Sequence, residues 1–122
     1  MTLQISPVFL DRNTMHLALN GKLDSITAPK LEEFINQGLD RAIETLIVDL
    51  EQLSFISSAG LRIFAKTRKL MKSREGKICF VNLSPQVKKV FDIVKAVPLS
   101  EVFQDPKELD AYLASIQKQA GE

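Results

Sequence analysis

Two short and nearly uninterrupted apolar runs, Leu46-Ile47-Val48-Asp49-Leu50 and Lys77-Ile78-Cys79-Phe80-Val81, each follow one helical pattern and precede another. Such runs are the mark of parallel strands buried between helices. Parallel strands need crossover connections, and right-handed crossovers lay the connecting helices against the sheet. This alternation restricts the chain to an α/β architecture.

The helices between these strands carry their own signals. Thr27 is a good N-cap with Pro29 in the first turn, and Leu31, Phe34, Ile35 and Leu39 recur at helical spacing. A second helix is expected from Ser58 to Lys72, with Gly60, Ile63, Phe64, Thr67, Leu70 and Met71 on its core face. Ser84-Pro85 opens a third, with Val87, Val90, Phe91 and Val94 inward. Asp105-Pro106-Lys107-Glu108 opens a fourth, whose apolar stripe is Leu109, Tyr112, Leu113 and Ile116. Ahead of all these, Leu3-Gln4-Ile5 and the alternating Met15-His16-Leu17-Ala18-Leu19 flank the turn residues Asp11-Arg12-Asn13, which predicts an antiparallel hairpin. With a short strand over Leu99–Phe103, the expected order is β-β-α-β-α-β-α-β-α. The expectation is a mixed β-sheet, an amino-terminal hairpin plus parallel strands, packed against helices as one domain over residues 1–122.

Composition narrows the function classes. Sixteen Lys and Arg against fifteen Asp and Glu leave a formal charge of +1, without the basic excess of a general nucleic-acid binder. No apolar run approaches the ~20 residues that span a bilayer, and no charged segment followed by an apolar one opens the chain, so neither membrane insertion nor secretion is expected. Cys79 is the only cysteine and His16 the only histidine, which suits a reducing cytoplasm and leaves little material for a metal site or a histidine-dependent triad.

Catalysis finds no footing. A nucleophile elbow needs glycine two residues before and after its serine; Ser58 has Gly60 after it but Ile56 before it, and Ser57 has Phe55 before it. The only candidate base, His16, alternates away from Met15, Leu17 and Leu19. No phosphate-binding glycine loop occurs. Cys79, inside an apolar strand, reads as a small buried hydrophobe. The run from Arg62 to Lys77 holds Arg62, Lys66, Arg68, Lys69, Lys72, Arg74 and Lys77 against Glu75 alone. It is a solvated helix face or a docking surface for an acidic partner, and Ser58, Arg62, Lys66 and Lys69 would share one exposed stripe. What remains is Phe55-Ile56-Ser57-Ser58-Ala59-Gly60-Leu61-Arg62, where a strand hands over to a helix and ligands or modifications collect. A helix cap accounts for one of its serines, either Ser57 or Ser58, but not for a pair followed by two small residues.

This segment resembles the signature of the STAS domain family, seen in bacterial anti-sigma factor antagonists. Three further elements of that family match in order: Leu19-Asn20-Gly21-Lys22-Leu23-Asp24, Val48-Asp49-Leu50 and Pro85-Gln86-Val87. The resemblance implies a binding protein with no catalytic residues, cofactor or metal. It implies that a serine-kinase anti-sigma factor phosphorylates Ser58, that a metal-dependent serine phosphatase reverses this, and that Asp24 lies near the acceptor. The partner-binding positions it implies are Asp24, Ser57, Ser58, Ala59, Gly60 and Arg62. Ser57 stands where many members have aspartate, and Ile93-Val94-Lys95-Ala96-Val97 replaces a region where members often have glycine. The family also supplies accessory subunits of bacterial lipid-transport ATPases, so that use stays open beside partner-switching in the cytoplasm.

Overall fold

A computed structural model of the chain describes residues 2–96, 102, 103 and 105–121. Strands β1 (Leu3–Phe9) and β2 (Thr14–Leu23) form the expected hairpin, antiparallel from Leu3 opposite Gly21 to Phe9 opposite Met15. Helix α1 (Ala28–Gly38) leads to β3 (Thr45–Asp49), which pairs in parallel with the first half of β2. Next comes β4 (Leu53–Ile56), then α2 (Ser58–Ser73), β5 (Lys77–Val81), α3 (Pro85–Ala96) and α4 (Pro106–Gly121). The strand order is β1-β2-β3-β5, with β4 paired to β2 beyond the end of β3.

Burial along β2 alternates through Met15, Leu17 and Leu19, and along β3 through Leu46 and Val48. Those side chains join Leu31 and Ile35 of α1 and Ile63, Phe64 and Met71 of α2 in one core. The sheet is thus covered on one face. His16 and Asp49 point to the other, which is the orientation the alternation predicts for His16.

The structure departs from the sequence reading at several places. The stretch read as a loop between the third strand and the second helix contains β4, a strand of only 4 residues. It continues the path of β3 along β2 after a turn in which Leu53 N–H donates to the Leu50 carbonyl and Gly21 N–H to that of Gln52. Its free edge is closed by side chains: the Ser84 hydroxyl donates to the Leu53 carbonyl at 2.6 Å instead of capping α3. Thr27 stands at the N-cap position of α1 but makes no side-chain cap; its hydroxyl donates backward to the Lys22 carbonyl at 2.7 Å. Cys79 is exposed, because β5 is an edge strand and its odd-numbered side chains face away from the helices. Val94, expected inward, is 43% exposed on the last turn of α3. The expected strand at Leu99–Phe103 lies partly outside the described residues; Val102 and Phe103 are not in the sheet.

Gly21 has a structural reason of its own. Its φ of +122° is one that other residues rarely adopt, and a Cβ there would stand 2.2 Å from the Thr2 carbonyl oxygen. Gly21→Ala should therefore lower unfolding free energy by about 1–3 kcal/mol in urea titration. A change within about 0.5 kcal/mol would mean that β1 moves aside without loss.

Candidate functional site

The site lies where β2 and β4 end side by side. Leu23 is paired with Ile56, and the next amide, Ser57 N–H, donates to the Leu23 carbonyl at 2.8 Å. Ser57 is extended (φ −100°, ψ 176°), and its hydroxyl accepts from Gly60 N–H at 3.4 Å. Ser57 is therefore the N-cap of α2. Ser58, the first helical residue, is left with a hydroxyl that enters none of the hydrogen bonds among the described residues. The residue as a whole is buried, only 9% exposed. The two serines thus divide the work: one shapes the helix end and the other presents an uncommitted hydroxyl.

Gly60 explains how tightly the turn sits. A Cβ at position 60 would lie 2.7 Å from Leu23 Cγ and 2.9 Å from Ile56 Cγ1. The absent side chain lets α2 rest directly on the strand ends; the close approach is made by the protein's own core. Ala59 is half-buried and Arg62 exposed.

Asp24 follows Leu23 at the end of β2. Its Oδ1 accepts from the Ile26 and Thr27 amides at 2.9 and 3.0 Å and from the Thr27 hydroxyl at 3.2 Å, folding residues 24–27 into a tight turn. This turn displays Ile26, 78% exposed, beside the start of α1. Partial burial raises the Asp24 carboxyl's pKa, but the hydrogen bonds from Thr27 and Ile26 outweigh that and hold it below the ordinary 3.8. On the open face of the sheet, Asp49 is likewise held low. Burial raises it, and the Glu51 amide, the Asn82 side chain and His16 at 3.1 Å together lower it further. His16 and Leu23 are seven residues apart on β2, roughly 20 Å at strand spacing. His16 is thus paired to Asp49 and far from Ser58, so it serves no serine there.

The basic run does not form the single stripe expected of it. Arg62, Lys66 and Lys69 are exposed but Ser58 is tucked in. Lys66 forms an ion pair with Glu32 of α1, and Arg74 donates to the Asp40 carbonyl at 2.7 Å.

Two residues that sequence reasoning missed complete the site, both from α4. Asp110 Oδ1 accepts from Ser58 N–H at 2.9 Å. Gln117, only 2% exposed, accepts from Ile56 N–H at 2.8 Å and donates to the Ile56 carbonyl at 2.7 Å. Its amide takes the place of a neighbouring strand on the free edge of β4. A signal existed: Gln117 falls on the stripe of Leu109, Leu113 and Ile116, where a polar side chain must find a buried partner. Replacing Gln117 with Leu strands both backbone groups of Ile56, so the variant should lose about 2–5 kcal/mol in chemical denaturation. An unchanged midpoint would mean water replaces the amide there.

The tightened carboxylates make a second prediction. Asp24 and Asp49 bind protons more weakly folded than unfolded, so the stability they contribute is present above the ordinary carboxyl pKa and is lost as pH falls through the lowered one. The melting temperature should drop from about pH 5 downward. Asp24→Asn keeps an oxygen acceptor for the turn but cannot titrate, and should flatten part of that drop. A slope identical to the parent's would show that this turn does not tighten the carboxyl.

Against known proteins, the STAS domain matches residues 7–109. The anti-sigma-B factor antagonist of Listeria monocytogenes is 26% identical over 102 residues, 82% of this chain and 90% of that protein. BtrV of Bordetella bronchiseptica is 33% identical over 75 residues, 62% of this chain and 65% of that protein, just under two thirds of its length. Among solved structures, the anti-sigma factor antagonist SpoIIAA in its unphosphorylated form superposes with a TM-score of 0.68 at 26% identity, covering 78% of this chain and 84% of that one. Its phosphorylated form, from Bacillus, gives 0.63 at 25% identity over 75% and 83%. The mixed sheet with its helices is thus the fold of SpoIIAA, and the chain belongs to the STAS domain family.

Proposed function

We propose that this protein is an anti-sigma factor antagonist: it binds a serine-kinase anti-sigma factor and is switched by reversible phosphorylation of Ser58. The observation that carries the reading is the division of labour at the start of α2. Ser57 is consumed as the helix cap, and the neighbouring Ser58 hydroxyl has no partner among the described residues. The relatives support the same reading, since the Listeria protein is named an antagonist of an anti-sigma factor and SpoIIAA is known in phosphorylated and unphosphorylated forms. The relatives named above include no lipid-transport accessory subunit, so the alternative use gains nothing from them.

In this reading the partner meets the ends of β2 and β4. Arg62, the half-exposed Ala59 and the 24–26 turn with its exposed Ile26 form the accessible part of that surface. Ser57 and Gly60 act from beneath, by placing Ser58. In the kinase step the Ser58 oxygen forms a bond to the terminal phosphorus of ATP and the bond to ADP breaks. The hydroxyl proton leaves to a base or water on the kinase side. A phosphatase hydrolyses the ester with water and returns the serine. The chain itself supplies no catalytic group to either step. No helix among the described residues is long and apolar enough to cross a membrane, which is compatible with a cytoplasmic partner switch.

With the kinase anti-sigma factor and ATP, the parent should take up one phosphate. Ser58→Ala should abolish uptake, whereas Ser57→Ala should still be phosphorylated, at a reduced stability of about 1 kcal/mol for the lost cap. Phosphate mapped to Ser57, or a stable kinase complex that never phosphorylates the chain, would overturn the assignment.

A further inference from the structure

A phosphate at a helix amino end is ordinarily welcome, because unpaired N–H groups and the positive end of the helix dipole face it. Here that end is already occupied. Leu61 N–H donates to the Ser57 carbonyl at 3.0 Å, Gly60 N–H to the Ser57 hydroxyl at 3.4 Å and Ser58 N–H to the Asp110 carboxylate at 2.9 Å. Only Ala59 N–H is without a partner among the described residues. The Ser58 hydroxyl branches from the same Cα as the N–H that Asp110 accepts from. A phosphate on it would bring about −1.5 to −2 charges against a carboxylate already seated there. Among the described residues no cation is ion-paired to Asp110.

The helix that carries Asp110 is held unevenly. Its first two turns contribute the half-buried Leu109, Asp110 and Tyr112, with Tyr112 stacked on Phe103 at 5.1 Å. Its later part contributes the buried Leu113 and Ile116 and the Gln117 clasp on both backbone groups of Ile56. Asp110 and Gln117 are two turns apart on one face, so they form two separate attachments of one helix to one strand–helix junction. Both lie beyond residue 109, where the family match ends.

We propose that Asp110 makes α4 the responding element of the switch: phosphate on Ser58 expels the Asp110 carboxylate from the amino end of α2, and the first two turns of α4 swing away about the Gln117–Ile56 clasp. This rests on Ser58 being the phosphorylated residue. The displaced phosphate-facing carboxylate, not unfolding of α2, is what changes the surface offered to the partner. The junction has two discrete arrangements, with the amino end of α2 held either by Asp110 or by the phosphate, and phosphorylation shifts the population between them.

The test uses the full chain with phosphoserine built in at position 58 during synthesis, so that it does not depend on any kinase. Amide hydrogen exchange is compared for four proteins: parent and Asp110→Asn, each with serine or phosphoserine. Asn keeps an oxygen for Ser58 N–H but carries no charge. In the parent, phosphoserine should speed exchange of the amides of residues 109–112 by about tenfold or more, while the Ile56 amide, held by Gln117, keeps its protection. In Asp110→Asn the same phosphate should leave residues 109–112 close to their unmodified rates. Unchanged exchange in the phosphorylated parent would overturn the proposal, and would show that Arg62 or solvent neutralises the pair in place. Equal loosening with and without the Asp110 charge would overturn it as well, as would loss of Ile56 protection, which would mean general unfolding. If the kinase assay fails and this one succeeds, Ser58 is not the acceptor but the coupling is real; the reverse outcome leaves the acceptor intact and removes α4 from the switch.

Discussion

The first turn of α2 can rest on the ends of β2 and β4 only because position 60 carries no side chain, and the rest of the site depends on that approach. Leu23 and Ile56 fill the space where a Cβ would be. With the helix seated there, Ser57 N–H reaches the Leu23 carbonyl and the Ser57 hydroxyl reaches back to Gly60. The Ser58 hydroxyl is then left without a partner among the described residues. A hydroxyl left uncommitted at a helix end is what a modifying enzyme needs.

The strand edge beneath this turn shows how the fold avoids stranding backbone groups. β4 pairs with β2 on one side only, and its other edge faces helices that offer no ladder. Ser84, just ahead of α3, and Gln117 of α4 supply the missing partners, one hydroxyl and one amide. Polar side chains thereby fix where two helices dock. An apolar contact alone would let them slide, because burial is indifferent to direction whereas a paired N–H and C=O are not. The same geometry puts Asp110 onto the amino end of α2.

Much of the architecture was legible from periodicity. The hairpin, the two parallel strands and the four helices α1 to α4 follow from alternation, from apolar runs and from helical stripes, since these patterns record which face of each element leaves water. The misreadings have separate causes. Cys79 sits in an apolar run that looks doubly buried, yet strand order places β5 at an edge. β4 is too short, and its Ser54 too polar, to rise above its turn residues. Thr27 has the right chemistry for a cap, but its hydroxyl is turned back to the Lys22 carbonyl, Pro29 has no N–H to offer, and Lys30 N–H donates to the Thr27 carbonyl instead. In each case neighbours distant in sequence, or a competing local acceptor, decided the matter.

The sequence by itself determined the class of fold and the family and singled out a candidate segment, because those are carried by local spacing of residue types along Phe55–Arg62 and the matching elements around it. It left open which serine of the pair caps the helix, and it held no hint that Asp110 touches Ser58 across 52 positions of chain. Tertiary structure settled both. A hydrogen bond has a direction and a reach of about 3 Å, so which donor meets which acceptor depends on how whole elements are placed. Periodicity encodes only the face that each element buries.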